Sequence, residues 1–194
     1  MTNQTIKQRL SEKFGDQLTG WEEPYGMLTF SSPKDLNLKV LQFLYDDPEL
    51  KFQFLTDITA VHYPENIGGE LAVVYHIHNL IENLRIRFKV FTPISAPDVF
   101  SATALYQSAN WMERETFDFY GVNFVGHPNL IRILNVEDMQ YFPMRKEYPL
   151  EDQKRIDKDD EMFGRGGPPF AGNERSGAGT TSSDQNETGS LKNE

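Results

Sequence analysis

The stretch that decides the reading of this chain is Trp111-Met112-Glu113-Arg114-Glu115-Thr116-Phe117-Asp118-Phe119-Tyr120-Gly121-Val122-Asn123-Phe124-Val125-Gly126-His127-Pro128-Asn129-Leu130-Ile131-Arg132-Ile133-Leu134. Its first half reads as one short helix. Asn110 is placed to cap the N-terminus, with Glu113 reaching back from the third helical position as in a capping box. Gly121 is placed to end the helix in a left-handed conformation that glycine adopts cheaply. Arg114 and Asp118 are one turn apart and share a face, so Asp118 is the expected partner of Arg114. Four charges among Trp111, Met112, Phe117, Phe119 and Tyr120 cannot all reach water while the rings are buried. Some must be paired in a protected place, inside the domain or against a partner.

Outward from this helix the pattern is mixed. Ile6, Leu10 and Phe14 fall at helical spacing before Gly15, which predicts a helix over 3–14. Residues 25–30 read as a short strand. Ser32-Pro33-Lys34-Asp35 combines an N-cap residue, a first-turn proline and an acid, and predicts a helix to about Tyr45, stopped by Asp46-Asp47-Pro48. Three strands follow, over 52–63, 70–78 and 84–91, joined by short connections that favour an antiparallel meander. In the last of them Leu84, Ile86, Phe88 and Val90 alternate with Arg85, Arg87 and Lys89, giving one core face and one basic face. Ser95-Ala96-Pro97-Asp98 predicts a further helix to about Tyr106. The expected fold is α+β, an antiparallel-rich sheet with helices packed on one face.

Beyond Val122 the periodicity dissolves into prolines, aromatics and charges. The expected organisation is an α+β core domain over 1–121, an extended partner-docking arm over 122–170 and a disordered tail over 171–194. The tail carries only Ala171, Ala178 and Leu191 as apolar side chains, too few to offset the entropy of ordering it.

The 194 residues contain no cysteine, which removes disulfides, iron–sulfur ligation and thiolate chemistry together. A net charge of -10 argues against a nucleic-acid partner, since phosphate binding draws on concentrated Lys and Arg. Mean hydropathy of -0.55 marks a soluble chain, and no apolar run approaches the about 20 residues of a membrane span. The first residues lack the basic-then-apolar order of a signal peptide, so the chain is expected to stay where it is made.

Three catalytic or ligand-binding readings compete with plainer ones. Glu113, Glu115 and Asp118 suggest general acid–base work. With no nucleophile or metal ligand nearby in sequence, ion pairing is the better account. His76 and His78 share a strand face and, with His127, suggest metal ligands, yet they lack the dense spacing of a known site. Interior or cross-strand histidines are expected, and His127-Pro128 is expected to fix a turn. Gly164-Arg165-Gly166-Gly167 lacks the following Lys-Ser/Thr and the strand-to-helix setting of a phosphate loop. No dinucleotide fingerprint is present, so no dinucleotide site is expected on this chain.

Glu113-Arg114-Glu115, two residues, Asp118, Phe119-Tyr120, a six-residue spacer and His127 resemble the signature of the 30-kilodalton (C) subunit family of respiratory complex I, the proton-translocating NADH:quinone oxidoreductase. Ile131 stands where that family usually has a basic residue, and Arg132 comes next. The resemblance extends upstream to Leu55–Tyr63 and downstream to Phe142-Pro143-Met144-Arg145-Lys146-Glu147-Tyr148-Pro149-Leu150. It implies a non-catalytic core subunit of the peripheral arm, bracing the quinone-site and iron–sulfur subunits. Its implied partners are the 49-kilodalton (D) subunit and the B and I subunits, on the cytoplasmic side of the bacterial plasma membrane. Membrane association would come only through the complex, and FMN and iron–sulfur clusters would sit on partner subunits. Glu113, Arg114, Glu115, Asp118, Gly121, His127, Pro128, Arg132, Arg145 and Lys146 are then the signature and interface candidates. The rivals are the same scaffold role in a membrane-bound hydrogenase or a cofactor-420 or photosynthetic-type dehydrogenase, and an independent hydrolase using the signature acids.

Overall fold

In the computed structural model, residues 1–148 are described. Pro149 to Glu194, which include the end of the expected arm, the Gly164–Gly167 cluster and the expected tail, lie outside the described residues. The chain opens with helix α1 (Asn3–Phe14), strands β1 (Thr19–Glu22) and β2 (Leu28–Ser32), and helix α2 (Asn37–Asp46). Strands β3 (Phe54–His62), β4 (Leu71–Asn79) and β5 (Leu84–Thr92) follow, then the short β6 (Asp98–Phe100), helix α3 (Ala109–Tyr120) and β7 (Asn123–Val125).

The helix starts and stops have local causes. Thr2 caps α1 by accepting the Thr5 N–H, and Gly15 ends it at φ 58° with its own N–H on Ser11. The expected cap of α2 is corrected. Ser32 is the last residue of β2, its hydroxyl donating to the Pro33 carbonyl, and a 3₁₀ turn over Lys34–Leu36 precedes the helix. Pro33, with ψ near 148°, is still extended and cannot be the first helical residue. Residues 25–27 are likewise not strand. Tyr25 sits at φ 55° in a turn, so β2 begins only at Leu28.

The main sheet has the order β1-β2-β5-β4-β3. The expected meander is present, since β3/β4 and β4/β5 are antiparallel in continuous register apart from one irregularity between Leu55 and Asp57. β2 pairs with β5 in parallel. The parallel pair arises because α2 carries the chain from β2 to the far edge, and the meander walks back until β5 meets β2. A second, two-stranded parallel sheet joins β6 to β7.

One face of the five-stranded sheet carries the core. Phe30, Phe88 and Tyr75 stack in a row across β2, β5 and β4, with centroids 5.5 and 4.7 Å apart. Ile6 and Leu10 of α1 and Val40, Leu41 and Leu44 of α2 belong to the same buried cluster. The opposite face carries the basic alternation expected of β5, largely matched within the sheet. Arg87 donates to Thr29, Lys89 pairs with Glu22 at 3.2 Å, and His76 lies 3.9 Å from Asp57.

The helix expected from Ser95 is absent. Asp98–Phe100 is extended because Asn123–Val125 returns beside it, placing Val99 against Phe124 in the core while Asp98 and Phe100 stay exposed. Val122 and Phe124, beyond the boundary expected at residue 121, belong to this core, and residues 1–148 form one compact unit.

The aromatic row supports a direct test. Phe88 is fully buried between Phe30 and Tyr75. Replacing Phe88 with Ala is expected to cost about 3–5 kcal/mol, a large share of a domain's about 5–15 kcal/mol. Urea unfolding of the full chain checks it, and a cost under about 1 kcal/mol would mean the row is not a packing element.

Candidate docking site at the end of the signature helix

An α-helix ends with four backbone carbonyls that lack partners inside the helix. In α3 all four find donors. Gly121, left-handed at φ 74°, donates its N–H to Phe117 at 2.8 Å. Arg132 donates to the Asp118 carbonyl at 2.9 Å, the Met144 N–H to Phe119 at 3.2 Å and Arg145 Nε to Tyr120 at 2.8 Å. Three of the four donors come from the segment after β7, so the aperiodic arm is the cap of the helix.

Asp118 anchors that arm. Its carboxylate has no exposed surface, and one oxygen accepts the successive N–H groups of Ile133, Leu134 and Asn135 at 3.1, 2.8 and 2.9 Å. The other accepts Asn135 Nδ2 at 3.0 Å and Arg132 Nη1 at 2.7 Å. Successive amides converging on one anion form a nest. Burial alone would raise the Asp118 pKa, but the Asn135 and Leu134 amides and the Arg132 guanidinium outweigh it and hold it well below the carboxylate range. Arg132 directs Nη2 to the Met139 and Tyr141 carbonyls, at 2.9 and 3.0 Å.

The Phe142 ring packs with two cations, its centroid 5.0 Å from the Arg132 guanidinium and 4.6 Å from that of Arg145. The ring also closes over Gly121. A Cβ there would stand 2.4 Å from Phe142, so position 121 requires glycine for contact as well as for φ.

Several expectations are corrected here. Asp118 pairs with Arg132 rather than Arg114. The reach is decisive, because the loop folds back over the helix end and presents amides and guanidinium together. Arg114 lies over Trp111 at 4.9 Å and donates Nε to the Ile131 carbonyl. No capping box forms. α3 begins at Ala109 without a side-chain cap, Asn110 lies inside it, and Glu113 turns into the core to meet Ser101 and Ala102. Phe142 and Arg145 are engaged with the helix end.

The histidines sit apart. His127 accepts the Asn129 N–H on Nδ1, so Nε2 carries the proton and donates to the Asn110 carbonyl, fixing the turn before Pro128. His62 accepts the Lys146 N–H at 3.0 Å, which ties the arm to the end of β3 and is visible in no sequence motif. His78 faces Asn83. Among the described residues no group of three or more His, Asp or Glu is arranged to hold a metal.

The outside of α3 and the arm mixes polar side chains, Glu115, Glu137, Asp138 and Lys146 among them, with exposed apolar ones. Trp111 is 63% exposed, Leu134 63% and Val136 64%, with Ile131, Tyr141 and Met144 also exposed. Among the described residues no helix is long and apolar enough to cross a membrane.

Arg132 and Arg114 give opposite expectations. Arg132→Ala leaves Asp118 buried without its cation and is expected to cost about 3–5 kcal/mol. Arg114→Ala loses a half-exposed stacking contact worth about 0.5–1 kcal/mol. Denaturant unfolding of both variants checks the ranking, and equal costs would refute it. Because the Asp118 pKa is depressed in the folded state, its contribution is full above 3.8 and is lost as pH falls below that value. Acid unfolding of Asp118→Asn should therefore show a weaker pH dependence there than the parent chain.

Comparison with known proteins agrees with this architecture. The family described as "Respiratory-chain NADH dehydrogenase, 30 Kd subunit" matches residues 30–154. The C subunit of the NADH-quinone oxidoreductase of Streptomyces coelicolor is 42% identical over 125 residues, 64% of this chain and 50% of that protein. Its counterpart in Mycobacterium tuberculosis is 44% identical over 123 residues, 63% of this chain and 52% of that protein. The chain thus spans about half the length of the curated relatives it matches. Among solved structures, the trypsin-resistant fragment (1-134) of Nqo5 superposes with a TM-score of 0.56 at 27% identity, covering 66% of this chain and all of that one. A chain of an archaeal membrane-bound sulfane sulfur reductase superposes at 0.64 with 24% identity, over 76% of this chain and 85% of that one, a likeness of fold. The matched segment contains the meander, α3 and its capping arm, and the chain belongs to the family of the 30 Kd subunit of the respiratory-chain NADH dehydrogenase.

Proposed function

We propose that this chain is a non-catalytic structural core subunit of the peripheral arm of a proton-translocating NADH:quinone oxidoreductase. It braces the quinone-site and iron–sulfur subunits, and its partners are the 49-kilodalton (D), B and I subunits. FMN and the clusters reside on partner subunits, and the complex holds the chain on the cytoplasmic side of the plasma membrane.

The observation that carries this reading is the use made of the arm. Several of its polar groups and one aromatic ring are engaged in closing the end of α3, while Trp111, Ile131, Leu134 and Val136 face outward. Exposed Trp beside Arg114 is the residue pair favoured at the centre of protein interfaces. The names of the Streptomyces and Mycobacterium relatives support this choice of machine. A brace needs this combination, because tunnelling distances depend on fixed placement and a preorganised surface loses little entropy on docking.

The double variant Trp111→Ser with Leu134→Ser tests it. Both side chains are largely exposed, so its melting temperature should stay close to the parent's. Loss of a Trp anchor costs about 2 kcal/mol or more at an interface centre, so the amount recovered with the purified complex should drop sharply, with NADH:quinone activity falling in proportion. A variant that assembles as well as the parent would place the docking surface elsewhere. Turnover of any substrate by the isolated chain would overturn the non-catalytic reading.

A further inference from the structure

Glu113 has no exposed surface and no cation against it among the described residues, unlike Asp118 on the same helix. Oε1 accepts the Ala102 N–H at 2.6 Å, and Oε2 lies 2.7 Å from Ser101 Oγ. Ser101, itself buried, lies 2.8 Å from Thr103 Oγ1 and accepts the Thr103 N–H at 3.2 Å. Thr103 is half-buried, at the margin of the core. Carboxyl, hydroxyl and hydroxyl therefore form an unbroken line from a sealed interior to the surface.

We infer that Glu113 is an internal proton-binding site, in exchange with solvent through the hydroxyls of Ser101 and Thr103, and that its ionisation loosens the seat of α3. In the protonated state Glu113 Oε2–H donates to Ser101 Oγ, whose hydroxyl donates to Thr103 Oγ1. Release needs only three concerted shifts. Solvent water takes the Thr103 proton, Thr103 takes that of Ser101, and Ser101 takes that of Glu113. Both hydroxyls end neutral, one proton has left, and the Ser101 and Thr103 hydroxyls have reversed so that each now donates toward the carboxylate. No opening of the core is required.

The surroundings favour the neutral acid. From β4 the fully buried Tyr75 hydroxyl faces the site, and burial and then the Glu113 charge suppress its ionisation. From α2 Asn37 donates to Tyr75 at 3.3 Å and to the Phe100 carbonyl at 2.7 Å, while its buried Oδ1 has no partner. On α3 itself Arg114 is turned to Trp111, Asp118 is held in its own nest, and His127 donates to the Asn110 carbonyl on the first turn. Burial pushes the Glu113 carboxyl up to about 7 against the two hydrogen bonds from Ala102 and Ser101. Because the folded-state value is raised, the contribution of this group is full below 4.5 and is lost as pH rises through about 7.

Infrared spectroscopy of the full chain reads the carboxylic-acid carbonyl band directly. The expected result is a band present in mildly acidic buffer and lost as pH passes about 7, absent in Glu113→Gln. The melting temperature of the parent should fall over the same window while that of Glu113→Gln stays level. Ser101→Ala is the second variant, informative even should Glu113→Gln fail to fold. Removing a donor to the carboxylate should move the loss of the band to higher pH. A parent chain with no acid band that titrates near neutrality, or a Ser101→Ala titration identical to the parent's, overturns the inference.

Discussion

Closure of one helix end is the constraint that orders the rest of the molecule. The left-handed Gly121, Arg132, Arg145 and the Met144 N–H satisfy the C-terminal carbonyls of α3, while the Asp118 carboxylate on the same helix gathers donors from the following arm. An anion sealed from water is costly unless its lone pairs are filled, and here five donors converge on it. That arrangement exists only when residues 132–145 lie in one conformation. An aperiodic segment without a core of its own is thereby fixed to a rigid element.

The two buried acids of α3 show how environment rather than residue type sets charge. Glu113 and Asp118 are both without exposed surface, five residues apart on one helix. Asp118 receives three amides, an amide side chain and a guanidinium, which keep it ionised. Glu113 meets one amide and one hydroxyl with no cation among the described residues, and burial dominates. One end of the helix is locked by a permanent charge, while its middle is seated by a group that titrates near neutrality.

The same division shapes the surface. Arg132, Asn135 and Arg145 of the arm are drawn inward by the helix end, while Trp111, Ile131, Leu134 and Val136 stay on the outside among exposed charges such as Glu115 and Glu137. Neutral apolar side chains on a fixed frame make a surface ready to dock without rearrangement. The tie between Lys146 and His62 extends the frame to the end of β3, so the outward strip is referenced to the sheet as well as to α3.

Features with local causes were legible in the amino-acid order alone. The alternation in Leu84–Val90, the helical spacing of Ile6, Leu10 and Phe14, and Gly121 after an aromatic helix each name their element, because side-chain period and backbone permission act over a few residues. The order of the meander was readable for the same reason, its loops being short. The parallel pairing of β2 with β5 and of β6 with β7 needed the folded chain. There a strand is made by a neighbour brought from more than twenty residues away, and Asp98–Phe100 became extended against a convincing local helix start. The partner of Asp118 belongs to the same class. Helical spacing offered Arg114 at one turn, but a loop that supplies three amides with its guanidinium satisfies a buried carboxylate far better than one side chain can, and no spacing rule reports where a loop returns.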